Sequence, residues 1–234
     1  MTAPSIEAVS FDFYQTLAFH REGRGRGAGV MAYLGAAGFE AGPWEHQILY
    51  DIFDRHLLDY DPLAPDSART AYHQRLAKHL LDRLSVRGAD PVDHATALWQ
   101  NLGPASLSLF PETLDVLARI RRAGLPMIII SNWQNGLRHF CSELGIAGFF
   151  EEILVSAEEG FQKPDVRIFE RACAVIAKHP ENVIHVGDSI VDDVEGGEAA
   201  GLQVALIARD GLENARGVPL LSSLRELPPM IGIH

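Results

Sequence analysis

From about Phe110 to Ile207, short apolar runs alternate with helical stripes, and few architectures accept that rhythm. Pro126 to Ile130, Ile153 to Val155, Val183 to Val186 and Val204 to Ile207 read as short buried strands, with Ile6 to Phe11 as an earlier one. Leu114, Leu117 and Ile120 lie on one face of a helix that starts at Pro111 and stops at Gly124. Leu137, Phe140 and Leu144 mark a second helix ending at Gly145. Ile168, Phe169, Ala172, Val175 and Ile176 form a third stripe after Pro164, and a short fourth helix closes at Gly201. Strands alternating with helices are joined almost only by right-handed crossovers, which gives a parallel sheet covered on both faces. The expected class is α/β, a doubly wound three-layer core.

Residues 17 to about 105 break the rhythm, offering no strand candidate and three helical patterns. These are Leu49/Ile52/Phe53/Leu57, Tyr72/Leu76/Leu80/Leu84 and Val92/Ala95/Trp99/Leu102, the last two separated by Gly88 and by an Asp90-Pro91 helix start. The expected organisation is a core of residues 1–16 and 106–234 with a helical insertion at 17–105. Leaving directly after the first strand, the insertion is expected to act as a lid at the carboxyl end of the sheet, where open α/β folds bind ligands.

The same edge is where the reactive side chains fall. Asp12 follows the first strand, Ser131 the second and Asp188 the fourth, while Lys163 lies in the loop leaving the third. Taken singly, Asp12 reads as a turn-capping carboxylate, Asp188 as an Asx turn and Ser131 as a helix N-cap. Together they supply what phosphoryl transfer through a covalent intermediate needs: a carboxylate nucleophile, anionic ligands for a divalent cation, a hydroxyl donor and a fixed positive charge. Trp133 reads equally as pocket wall or core.

The segments Phe11-Asp12-Phe13-Tyr14-Gln15-Thr16-Leu17, Ile130-Ser131-Asn132, Lys163-Pro164-Asp165 and Gly187-Asp188-Ser189 with Asp193 resemble, in order, the four motifs of the haloacid dehalogenase superfamily. The resemblance covers nearly the whole chain, since the helical insertion is similar to the family's cap. It implies that Asp12 is the nucleophile, that Lys163 stabilises the charge of the transferring group, and that Ser131, Asn132 and Thr16 contact it. It implies a magnesium ion held by Asp12, Asp188 and the Tyr14 carbonyl, with Asp193 as a further acidic ligand position. Asp193 matches that position better than Asp192, which stays open as an alternative.

Two residues depart from the phosphatase members of the family. Tyr14 stands where they carry an aspartate acid and base, and a phenol with a pKa near 10 is a weak acid and a negligible base at neutral pH. A tyrosine there resembles the 2-haloacid dehalogenases, whose halide leaving group needs no proton. Gln15 stands where glycine is common, so a shifted loop is expected. Against the dehalogenase reading, Asp188, Asp192 and Asp193 form a dense cluster of hard oxygen donors. The expected function is therefore magnesium-dependent hydrolysis of small phosphate monoesters. The alternatives are a dehalogenase acting through an aspartyl ester, and a catalytically weak binding protein that keeps the fold.

Composition narrows the partners. With 20 Lys and Arg against 31 Asp and Glu, a formal charge of −11 opposes binding to nucleic acid or an anionic membrane, so a small phosphorylated or halogenated molecule is expected. Neither a signal-like start at Met1 to Glu7 nor an apolar run of ~20 residues is present, and a cytoplasmic location is expected. Cys141 and Cys173 have no metal-binding spacing and read as buried thiols. The Gly23 to Gly27 arginine-glycine run reads as a loop, with Arg24 or Arg26 as further candidates for meeting an anionic substrate. The ten histidines, lacking HExxH spacing, read as solvated or packed.

Overall fold

The computed structural model describes residues 5–20, 26–45, 48, 65–102, 106–133, 136–209 and 217–233. The pattern Leu49/Ile52/Phe53/Leu57 and Arg24 lie outside them, as does the Arg26 side chain. The chain divides into two compact units, one of Met1–Phe19, Leu109–Trp133 and Leu144–His234, the other of His20–Ser108 and Gln134–Glu143.

The first unit is built on a six-stranded sheet. Its strands are β1 (Ala8–Phe11), β4 (Met127–Ser131), β5 (Glu152–Val155), β6 (Val183–Gly187), β7 (Gln203–Ile207) and β8 (Leu220–Leu221), in the order β5-β4-β1-β6-β7-β8, and every pairing is parallel. Two further strands, β2 (Ala18–His20) and β3 (Leu107–Leu109), form a separate two-stranded sheet. Successive side chains of a strand point to opposite faces, so the alternating residues of β1 and β4 line two different surfaces. On one face Ala8, Ile128, Ile130, Leu154 and Val183 pack with Ile168, Phe169, Ala172, Cys173 and Ile176 of the helix Val166–Ile176. Val9, Phe11 and Ile129, which point the other way, are fully buried too. Burial on both faces is what a doubly wound α/β sheet requires.

Local signals explain most of the boundaries. The Asp165 side chain accepts a hydrogen bond from Arg167 N at 3.0 Å and so caps the helix after Pro164. The stops at Gly124, Gly145 and Gly201 have φ of 78°, 72° and 81°, a region that favours glycine. Three details differ from the sequence reading. β2 occupies the start of a segment expected to lack strands, and β2, β3 and β8 are too short to display a period. Leu114, expected on the buried face of its helix, is 47% exposed, and Val116 is buried instead. Val92 is likewise 58% exposed, and Leu98 completes the buried face of its helix.

The second unit contains the helices Arg26–Ala36, Asp66–Arg83, Pro91–Leu102 and Leu137–Glu143. Tyr72, Leu76, Leu80 and Leu84 are buried, and His73 stacks on Trp99 with ring centroids 4.8 Å apart. The Asp90 carboxylate accepts from Val92 N at 2.8 Å, so the Asp90-Pro91 start works as a cap followed by a first helical proline. No helix among the described residues is long and apolar enough to cross a membrane.

Candidate active site

The strand order places the chemistry. The chain leaves β1 for β4 and β5 on one side, then returns to β6 on the other, so the sheet reverses its winding beside β1. Ligands of open α/β sheets bind at such a point, outside the carboxyl ends of the strands. Register brings the ends together: Phe11 pairs with Ile129 in β4 and with Val186 in β6, and Asp12 N donates to Val186 O at 2.8 Å. Asp12, Ser131 and the Gly187-Asp188 turn therefore emerge side by side.

Lys163 Nζ joins them, donating to Asp12 Oδ1 at 2.8 Å and to Asp193 Oδ1 at 2.5 Å, with only 2% of its side chain exposed. Its loop is fixed by Asn132, whose Oδ1 accepts from Lys163 N at 2.8 Å and whose Nδ2 donates to Lys163 O at 2.9 Å. The Asn132 amide is thus engaged with the main chain of Lys163. Ser131 Oγ is 3.4 Å from Asp12 Oδ1. Thr16 is fully buried, and its Oγ1 has no hydrogen-bond partner among the described residues.

Asp193 is the most heavily bonded carboxylate of the site. Its Oδ1 meets Lys163 and His185 Nε2, the latter at 3.0 Å, and its Oδ2 accepts from Ser189 N at 2.9 Å. A carboxylate only accepts, so His185 donates from Nε2, and Nδ1 is left to accept from Ser10 Oγ at 2.5 Å. Ser10 and His185 are buried partners that the sequence reading did not single out; the available signal was a polar residue in an otherwise apolar strand. Asp193 reaches this position because residues Ile190–Glu195 form a π-helical turn, a wider winding common at functional sites. The turn also needs Gly187, since a Cβ there would lie 2.1 Å from Asp193 Cγ.

Electrostatics separate the carboxyl groups. Burial pushes Asp12 up, Lys163 pulls it back, and the balance lies above the ordinary range. Burial would raise Asp193 too, but Lys163 and His185 hold it well below that range. Asp188, half-buried, is pushed up to about 7 by burial and by the charges of Asp12 and Asp193. Burial works against the Lys163 ammonium, yet Asp12 and Asp193 hold its pKa above the usual value. Burial lowers His185, in keeping with a neutral ring.

Oxygen atoms of Asp12, Asp188 and Asp193 lie within 4.8 Å of one another, a spacing one metal ion can span. Three carboxyls there face one ammonium, and a hard divalent cation fits that donor set. Asp192 is outside the group; it is half-buried, bonds to the Asn132 side chain, and is raised by burial. The Tyr14 ring lies beside Trp133, 6.1 Å between centroids, and Trp133 meets Phe13 edge to face at 5.3 Å. Gln15 has φ of 62°, so a residue with a side chain holds a conformation that glycine adopts freely. Two cavities, of about 380 and 320 Å³, lie at the opposite, amino ends of the strands, beside Pro126 and Glu151 and beside Ile184 and Gln203.

Comparison with known proteins identifies similar hydrolases. A glyceraldehyde 3-phosphate phosphatase of Methanothermobacter thermautotrophicus is 33% identical over 124 residues, which is 50% of this chain and 53% of that protein. A phosphoserine phosphatase of Thermus thermophilus is 35% identical over 102 residues, 43% of this chain and 41% of that one. The chain thus matches about half the length of these relatives or less. The crystal structure of a HAD phosphatase from Thermococcus onnurineus shares the fold, with a TM-score of 0.64 over 98% of this chain and 99% of that chain at 18% identity. Residues 6–201 match the model of one hydrolase family, and the chain belongs to it: it is a haloacid dehalogenase-like hydrolase.

Proposed function

We propose that this enzyme hydrolyses small phosphate monoesters in two steps, with Asp12 as nucleophile and magnesium as cofactor. The observation that carries the reading is the buried Asp12–Lys163 pair at the switch point of the sheet, with Asp188 and Asp193 beside it. In the first step an Asp12 oxygen attacks phosphorus, the bond to the ester oxygen breaks, and the leaving alkoxide keeps the electron pair until water protonates it. In the second, water attacks the aspartyl phosphate at phosphorus, releasing inorganic phosphate and restoring the carboxylate. Lys163 presents its charge to the transferring phosphoryl oxygens, and Ser131 and Thr16 offer hydroxyl donors at the same edge. Asn132, held on the main chain of Lys163, positions that lysine.

Asp12, Asp188 and the Tyr14 carbonyl are the groups assigned to magnesium, with Asp193 as the further acidic member. When bound, the ion screens the repulsion between Asp12 and an anionic substrate and polarises the phosphoryl oxygens. The two phosphatases similar to this chain support the substrate class. The proposal includes the helical segment 17–105 as a cap that selects the substrate. It also includes a cytoplasmic setting, in keeping with two free, buried cysteines.

Tyr14 favours a second reading, dehalogenation of a small 2-haloacid through an Asp12 ester, because halide departs without a proton. One purified sample separates the readings. Magnesium-dependent release of nitrophenol from nitrophenyl phosphate supports the first, chloride release from 2-chloropropionate in chelator supports the second, and turnover of neither leaves a binding protein.

A further inference from the structure

Arg209, at the carboxyl end of β7, is engaged by nothing in the mechanism above, yet its side chain donates to three different residues. Its Nε donates to Gln15 O at 3.1 Å, one terminal nitrogen donates to Thr16 O at 2.8 Å, and the other donates to Glu112 Oε1 at 2.7 Å. The guanidinium carbon lies over the Phe110 ring, 3.3 Å from its centroid. Glu112 is 6% exposed and also accepts from Ser223 Oγ at 3.1 Å. The next carbonyl along, Leu17 O, accepts from Phe110 N at 3.1 Å and Thr113 Oγ1 at 2.9 Å.

Three successive carbonyls of the loop after Asp12 are therefore held by donors more than ninety residues away in sequence. The loop needs such support. It turns tightly, with Leu17 N and Ala18 N both donating to Phe13 O at 2.9 and 3.0 Å, and Gln15 N to Ala18 O at 2.7 Å. At its centre Gln15 occupies the left-handed region, where a side chain crowds its own backbone. A planar fork with five donors can satisfy two adjacent carbonyls and a carboxylate together, whereas an ammonium cannot hold that geometry.

We propose that Arg209, braced by Glu112 and Phe110, is a positioning residue that clamps the Gln15–Thr16 loop in the conformation that aims Asp12, Tyr14 and Thr16. The inference rests on the phosphatase reading for its activity readout only. Arg209→Lys keeps a positive charge against Glu112 and removes the fork. With nitrophenyl phosphate and magnesium, it is expected to lower kcat at least about tenfold with KM within about twofold, since small displacements of reacting groups cost up to ~10²-fold. Amide exchange at Leu17 and Ala18 is expected to quicken in the same variant.

Gln15→Gly removes the crowding that the clamp opposes. In that background Arg209→Lys is expected to lower kcat less than about threefold, a coupling that additive sites lack. An equal loss in both backgrounds overturns the proposal, because it assigns Arg209 a general role in the fold. Exchange and kcat unchanged by Arg209→Lys overturn it as well. The exchange measurement needs no substrate: quickened exchange in a chain that turns over no phosphate ester supports the clamp and refutes the phosphatase reading instead.

Discussion

Asp188→Asn is expected to stabilise the metal-free protein at alkaline pH while removing its response to magnesium. The carboxyl of Asp188 ionises at about 7 in the fold against an ordinary value of 3.8. Between those values the folded state holds a proton that the unfolded chain has lost. Raising pH through that window therefore weakens the fold, and the penalty is complete once the pH exceeds about 7. At about 1.4 kcal/mol per pH unit the upper limit is about 4 kcal/mol, and partial solvent access reduces it to about 1–3 kcal/mol. Asparagine keeps the shape and never ionises. In chelator at pH 8 the variant should melt higher than the parent, by about 2–4 °C for each kcal/mol in a chain of this size. At pH 4 the two should coincide. Millimolar magnesium at pH 8 should raise the parent and leave the variant where it was, because the ion neutralises an ionised Asp188 and asparagine offers it no such charge. Thermal melts at the two pH values, with and without magnesium, make the measurement. Equal parent and variant melting at pH 8 in chelator would refute the electrostatic account of this cluster.

Other substitutions test single steps. Asp12→Asn should abolish turnover of every accepted ester while leaving the melting curve cooperative, because an amide is nearly isosteric and far less nucleophilic; steady-state turnover near the parent rate removes Asp12 from the mechanism. Gly187→Ala should cost about 1–3 kcal/mol and most of the activity, since its Cβ would meet Asp193 Cγ at 2.1 Å; denaturant titration and kcat read the two effects, and a neutral result contradicts the close approach. Tyr14→Asp should speed hydrolysis of an alkyl phosphate by at most ~10²–10⁴-fold and a nitrophenyl ester little, because only the poor leaving group needs a proton. Equal gains in kcat/KM for both esters would mean that another group is the acid.

What the sequence made legible was what repeats or what falls at a strand end. Five of the six sheet strands followed from apolar runs, and β8, with two residues, was too short to register. Asp12, Ser131, Lys163 and Asp188 were legible because topology alone sends the ends of β1, β4, β5 and β6 to one edge. Ser10 and His185 passed unnoticed because their meaning depends on register: they are opposite one another only when Ser10 pairs with His185 across β1 and β6. Arg209 was hidden for a similar reason, since its partners Gln15, Thr16 and Glu112 are nearly a hundred residues or more distant. Gln15 was read as a disturbance of the loop. Its φ of 62° instead keeps the glycine-like backbone, at a cost of roughly 1–2 kcal/mol for a residue with a Cβ.

The division of Lys163 between two carboxylates bears on the roles proposed for them. A lysine bonded to Asp12 alone would stabilise the anion that is proposed to attack, and a stabilised anion is a weaker nucleophile. Here Asp193 competes for the same ammonium and brings donors of its own in His185 and Ser189. Asp12 has the Lys163 bond and a long contact to Ser131 at 3.4 Å. The environment accordingly pushes two chemically equal side chains apart, Asp193 down and Asp12 up. Asp193 is thereby the firmer anion beside the buried Lys163, and of the two Asp12 is the carboxylate whose charge the fold holds less firmly. Ser10 belongs to this arrangement too. By donating to His185 Nδ1 it directs the ring proton toward Asp193, and so strengthens from within the sheet the contrast between the two carboxylates that the proposed nucleophile role of Asp12 draws on.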